Sequence, residues 1–160
     1  MENTLTDAEV ETIIRAYLPQ VIHMSLGTSA DGKPWVCEVH YAYDDDLNLY
    51  FRSKPDTRHC QEIDANPNVA GNIVTQHFLN QLPRGVYVAG TAARVADPRE
   101  SDAGVQCYAK RFGHTSATLL ADMQAKGSVL YKISVTDVYL FDAYVSKPSQ
   151  KYHLALHSGS

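Results

Sequence analysis

The charge chemistry of this chain is concentrated in eight consecutive residues. Arg52-Ser53-Lys54-Pro55-Asp56-Thr57-Arg58-His59 carries Arg52, Lys54, Arg58 and His59, with the hydroxyls of Ser53 and Thr57 between them. They fall where a strand rich in aromatic residues ends and a helix begins. The first N–H groups of a helix have no intrahelical partner, and the helix dipole places positive potential at the same end. Such a turn suits a phosphate monoester, whose oxygens an arginine can grip in pairs while hydroxyls add further donors. The alternative is a solvated basic turn whose charges pair with Asp56 and Glu62, and spacing alone leaves both readings open.

The elements that must hold this turn can be read from periodicity. Leu5 to Leu18 has apolar residues at helical spacing, with Thr6 or Asp7 able to cap it and Pro19 to stop it. The pattern then changes to period two. Ile22 to Thr28, Trp35 to Tyr43 and Leu47 to Arg52 read as three strands joined at Asp31-Gly32 and at Asp44-Asp45-Asp46, an antiparallel meander. A short helix is predicted from Arg58 to Ala65, ended by Asn66-Pro67. Strands come next at Val69 to Thr75 and Val86 to Val95, with a polar loop from Gln76 to Arg84 between them. Asp97 to Phe112 and Ala117 to Lys126 are predicted helices. Val129 to Tyr144 is a long bent strand or strand pair. About six mostly antiparallel strands with inserted helices predict an α+β fold, a closed or nearly closed barrel with helices outside. One domain over 1–145 and a polar tail over 146–160 are expected.

Composition narrows the function. The chain has 160 residues, 44% hydrophobic and 20% charged, in the range of ordinary globular proteins. Its formal net charge of −4 argues against a general nucleic-acid partner, though not against one local anion site. No apolar run approaches the roughly 20 residues of a membrane-spanning helix, and the N-terminus does not read as a secretory signal, so a cytoplasmic location is expected. Cys37, Cys60 and Cys107 have no CxxC spacing and read as small buried residues rather than a disulfide framework or zinc knuckle. Among seven histidines, His153 and His157 lie at i, i+4 spacing, but two ligands without a third make a weak metal site. No GxGxxG, GxxxxGK[ST] or GxSxG motif occurs. Tyr108, Arg111 and Phe112 share one side of their helix, as a pocket wall or as a docking face.

The segment Phe51-Arg52-Ser53, then Thr57-Arg58-His59, then Gln61 to Ala70 with its Asn66-Pro67-Asn68-Val69, resembles the strand, turn and helix of the FMN-binding split-barrel superfamily. Pyridoxamine-phosphate oxidase is that superfamily's best-known member. Thr57-Arg58-His59, Arg84-Gly85-Val86 and Tyr108 to Phe112 are most similar to its UPF0306 branch. The likeness covers roughly residues 8 to 143.

The resemblance implies a six-stranded split barrel, a homodimer with FMN at the subunit interface, and a small-molecule substrate. It implies that Arg52 and Ser53 touch the ribityl chain and phosphate, and that Thr57 and Arg58 hold the phosphate. His59 stands where many relatives have lysine, which leaves the charge balance at the phosphate open, with Lys54 available to compensate. Trp35, Val36, Cys37 and Glu38 match the strand that runs beside the flavin ring, and Arg84 is the nearest polar residue where the oxidase has glutamine. The oxidase's final Arg- and Trp-bearing segment is replaced by Tyr139 to Tyr144, which argues against a pyridoxal substrate. Three functions are implied: an FMN-dependent oxidoreductase taking hydride or electrons from a reduced nicotinamide or small substrate, a non-catalytic flavin-binding module, or a haem-binding or haem-degrading split barrel. No side chain stands out as acid, base or nucleophile.

Overall fold

The computed structural model describes residues 4–145 and 149–156. Helix α1 spans Asp7–Tyr17 and starts with a reciprocal cap, in which the Thr6 hydroxyl accepts from Glu9 N–H and the Glu9 carboxylate accepts from Thr6 N–H. Beyond it Pro19 tightens the chain into a single 3-10 turn, Leu18–Gln20. The meander then runs through β1 (His23–Ala30), β2 (Lys33–Tyr43) and β3 (Leu49–Ser53). Asp31 and Gly32, at φ 51° and 70°, make the tight β1–β2 turn that sets Ala30 opposite Lys33. Helix α2 (Arg58–Ala65) comes after the basic turn, and β4 (Asn68–Ile73) and β5 (Arg84–Arg94) form the next antiparallel pair. Helices α3 (Ala103–Arg111) and α4 (Ser116–Lys126) precede the long β6 (Val129–Asp142), and β7 (Lys151–Ala155) comes last.

The strands join in the order β3-β2-β1-β4-β5-β6-β7, and β3 also pairs with β6. That extra ladder closes the first six strands into an antiparallel barrel and leaves β7 outside on β6. The β5–β6 ladder bends at a register shift near Ala89/Gly90. A Cβ on Gly90 would lie 2.2 Å from the Ser134 carbonyl oxygen, so only glycine permits this approach.

Val10, Ile14, Leu26, Phe51, Ile73, Val86, Tyr131 and Leu140 are among the residues that fill the main core within the barrel and under α1. A second apolar cluster joins α3 and α4 to the barrel wall through Ala42, Tyr50, Val105, Tyr108, Ala109, Leu119, Met123 and Leu130. It fixes both helices beside the end of β3, where the basic turn begins.

Two stretches differ from expectation. The helix predicted from Asp97 begins only at Ala103, because Asp97 adopts φ 45° and the Asp102 carboxylate accepts from Arg99 N–H to form a turn. Part of the expected polar tail is a strand, with Tyr152 and Leu154 buried in alternation against α1 and the barrel. His153 lies on that strand, whereas His157 falls outside the described residues.

Candidate functional site

Ladder pairing builds the site. Arg52 lies opposite Leu130 and Ser53 opposite Val129, so the closing β3–β6 ladder carries Ser128 to the foot of the basic turn. The preceding helix α4 brings Asp122 and Lys126. From the other side β2 contributes Glu38, Val39 and His40, and α3 contributes Tyr108. Together with Arg52, Ser53, Lys54, His59, Lys126 and Ser128 these residues line a cleft of about 420 Å³. A neighbouring cavity of about 350 Å³ shares His40, Arg52, Tyr108 and Lys126 and continues between α3 and α4.

Arg52 is held on three sides. Its Nε donates to Ser128 Oγ at 2.6 Å, one terminal nitrogen to Asp122 Oδ2 at 2.7 Å and the other to the Asp122 carbonyl at 3.3 Å. Lys126 Nζ reaches the other Asp122 oxygen at 3.0 Å. The hydrogen bond from Arg52, then that from Lys126, holds the Asp122 carboxyl below its ordinary range. The guanidinium is thereby fixed in place as part of an ion-pair network on the cleft wall.

The turn itself is ordered by short hydrogen bonds. Thr57 Oγ1 donates to the Lys54 carbonyl at 2.8 Å, and Ser53 Oγ lies 2.7 Å from His59 Nε2. His59 is almost wholly buried beneath the turn. Hydrogen bonding to Cys37, then to Cys60, raises its pKa to about 9 against the opposing effect of burial. The shift favours the imidazolium form, the charge type of the lysine it replaces.

Arg58 points elsewhere on the same helix start. Its Nε bonds Glu62 Oε1 at 2.8 Å and its guanidinium stacks on Trp35 at 4.3 Å from the ring centroid. Glu62 also accepts from the buried Thr28 hydroxyl at 2.6 Å. Trp35 and Val36 are exposed apolar residues on β2, and Glu38 accepts from the Ser25 hydroxyl.

Of the residues singled out by sequence, the cleft gathers Glu38, Arg52, Ser53, Lys54 and His59. Thr57 supports that group through His59, Cys37 lies behind it, and Trp35, Val36 and Arg58 form an adjoining patch. Arg84 stands apart, in an ion pair with the buried Asp142 at 3.2 Å and over the Tyr17 ring. Sequence reasoning missed His40 on β2, Asp122 and Lys126 on α4, and Ser128 in the link from α4 to β6; only Tyr108 carried a signal, its place on one side of α3. His153 is engaged by Asp137 at 2.7 Å and stacked on Tyr139. Among the described residues no group of three His, Cys, Asp or Glu is arranged to hold a metal ion, and no helix is long and apolar enough to cross a membrane.

The family model for pyridoxamine 5'-phosphate oxidase matches residues 10–142. The chain belongs to that family. It is 29% identical over 101 residues to a UPF0306 protein of Yersinia enterocolitica, covering 62% of this chain and 68% of the relative. It is 31% identical over 125 residues to the pyridoxine/pyridoxamine 5'-phosphate oxidase of Chromobacterium violaceum, covering 76% of this chain but only 56% of that relative's length. The fold is similar to an FAD-binding protein of Mesorhizobium loti, with TM-score 0.59 at 21% identity over 86% of this chain and 93% of the other. It is also similar to a heme binding protein of Mycobacterium smegmatis, with TM-score 0.64 at 17% identity over 88% of this chain and 55% of the other. The split barrel and the family membership expected from the 51–70 segment both hold.

Proposed function

We propose that this family member binds FMN, with the cofactor's phosphate at the 52–59 turn, and acts as an oxidoreductase. The observation that carries this reading is the convergence of Arg52, Ser53, Lys54 and His59, whose pKa is raised, on one cleft at the start of α2. A dianionic monoester needs such a set of positive charges, hydroxyls and free helix N–H groups. Thr57 orders the turn, and Arg58 adds a guanidinium whose terminal nitrogens make no hydrogen bond among the described residues.

FMN, when bound, supplies the hydride and electron chemistry, with a reduced nicotinamide or another small molecule as the partner in exchange. The chain's own task is placement. The backbone of β2 from Val36 to Glu38 gives the ring an edge to bond, and Trp35 with Val36 offers an exposed apolar strip against which a second subunit closes. We place the cofactor at that homodimer interface and the protein in the cytoplasm. Hydride exchange depends mainly on geometry, which is what this placement supplies.

The absorption spectrum of the purified protein tests the assignment. The two-band spectrum of oxidised flavin is expected, released as FMN on denaturation. A Soret band would assign the site to haem instead, and a colourless protein that leaves added FMN fluorescence unquenched would overturn the flavin reading.

A further inference from the structure

The hydrogen-bond donors of the basic turn can be assigned one by one. Thr57 Oγ1 lies 2.8 Å from the Lys54 carbonyl oxygen, which can only accept, so the single Thr57 hydroxyl proton is spent there. Thr57 Oγ1 also lies 3.3 Å from His59 Nε2 and must be the acceptor in that contact. A hydrogen bond between Thr57 and His59 thus requires a proton on Nε2. With that proton in place, Ser53 Oγ, 2.7 Å from Nε2, accepts as well. The Ser53 hydroxyl proton is then left with no acceptor among the described residues, at the lip of the cleft that Lys54 and Arg52 also line.

We propose that His59 is the positioning residue of the phosphate site: its Nε2–H, shared between Ser53 and Thr57, fixes Ser53 as a hydrogen-bond donor to the bound anion. The inference rests on the phosphate-binding reading and adds the group that orders it. The ring is held for this task by its burial, by the tilted Phe51 ring at 6.1 Å, and by Cys37 and Cys60 behind it. A neutral histidine protonated at Nδ1 alone would turn the Ser53 proton inward and remove the donor from the cleft. Replacement of lysine by histidine at this position thus exchanges a direct charge contact for an indirect one that acts through a hydroxyl.

The charged and titratable groups around the ring are few. Cys37 faces it from β2, Cys60 and Glu62 from α2, and Glu38, Arg52, Lys54 and Lys126 line the cleft it borders. Over the range from pH 7 to 9.5 the dianionic phosphate, with its second pKa near 6, does not change charge. A pH dependence of FMN affinity in that window is assigned to His59, whose pKa is raised to about 9, together with the neighbouring Cys60, whose pKa is lowered.

Two measurements on the full chain test the proposal. First, nitrogen NMR of the imidazole in cofactor-free protein at pH 7.5 is expected to find Nε2 protonated; an unprotonated Nε2 would overturn the assignment whether or not flavin binds. Second, FMN affinity is measured by flavin fluorescence for wild type, Ser53→Ala, His59→Ala, His59→Gln and the Ser53→Ala/His59→Ala double variant, each checked for folding by circular dichroism. Loss of a hydrogen bond to a charged group predicts roughly a tenfold to hundredfold weakening for each alanine variant. The double variant should be little worse than either single one, because both act through the same proton donor. His59→Gln, which keeps an N–H near the Nε2 position, should recover part of the loss and abolish the weakening of wild type above pH 8.5. Independent, additive losses would overturn the proposal while leaving the flavin reading intact. Failure of wild type to bind FMN would reject the flavin reading, with the NMR result still deciding whether Nε2 carries the proton.

Discussion

Replacing Gly104 with alanine should destabilise this protein, although alanine is ordinarily the better helix former. Gly104 is buried in the first turn of α3, and a Cβ built there lies 2.3, 2.7 and 3.0 Å from Cε1, Cδ1 and Cζ of Tyr50. Carbon atoms in contact sit about 3.5–4.0 Å apart, so ring or helix must retreat by roughly 1 Å. The ring has little room, being 4% exposed, with its hydroxyl donating to Asp44 Oδ2 at 2.9 Å. An approach as close as 2.3 Å puts the overpacking cost in the upper part of its range, about 2–3 kcal/mol, against a helix-propensity gain of at most ~1 kcal/mol. The net is a loss of about 1–2 kcal/mol. For a chain of this length that corresponds to a fall in Tm of roughly 2–8 °C. Urea unfolding followed by circular dichroism measures it directly. Because Tyr108 lines the cleft from the same helix, weaker FMN binding should accompany the loss. A Gly104→Ala variant as stable as wild type would refute the contact between α3 and β3 that shapes this wall.

Other perturbations separate the roles of the site's charges. Arg58→Ala should weaken FMN binding by about 1.5 kcal/mol, the low end for a hydrogen bond to a charged group because the side chain is half exposed; unchanged affinity in a fluorescence titration would remove Arg58 from the phosphate site. Asp122→Asn removes the carboxylate that pairs with both Arg52 and Lys126, so FMN should bind several-fold more tightly, an effect that fades with added salt. Stability should also change at both ends of the pH scale. The carboxyls of Glu62 and Asp122 are held below their ordinary 4.5 and 3.8, by hydrogen bonds from Thr28 and Arg58 and from Arg52 and Lys126, so their contribution is present above those values and is lost as pH falls through the lowered ones. His59 is raised from 6.5 to about 9, so its contribution is complete below 6.5 and disappears as pH rises through 9. Urea midpoints recorded against pH in wild type and His59→Gln check the alkaline limb, which should flatten in the variant.

Much of the turn was legible because its residues are contiguous. The cluster from Arg52 to His59 and the stop at Asn66-Pro67 bounded α2 correctly, and Asp31-Gly32 located the first hairpin. The opposite wall was not legible. Asp122, Lys126 and Ser128 reach Arg52 only because β3 pairs with β6 across about 80 intervening residues, a long-range closure that local periodicity does not encode. The start of α3 was misplaced for a local reason, the left-handed conformation of Asp97 that glycine would ordinarily signal. Strand β7 was missed because five residues with two buried side chains, Tyr152 and Leu154, carry too little pattern amid polar neighbours. The partnership of His59 with Ser53 could have been suspected from their spacing across the turn, but the case for an Nε2 proton needed the position of the Lys54 carbonyl.

Recognition of the FMN phosphate by the 52–59 turn is the central claim. Parallel titrations of the cofactor-free protein with FMN and with riboflavin, at pH 7.5 and fixed ionic strength, test it most directly, since the two ligands share the ring and ribityl chain and differ only in the phosphate. FMN should bind far more tightly, and Ser53→Ala, His59→Ala and Arg58→Ala should narrow the gap by weakening FMN alone. Equal affinities for the two flavins, or binding of neither, would contradict it.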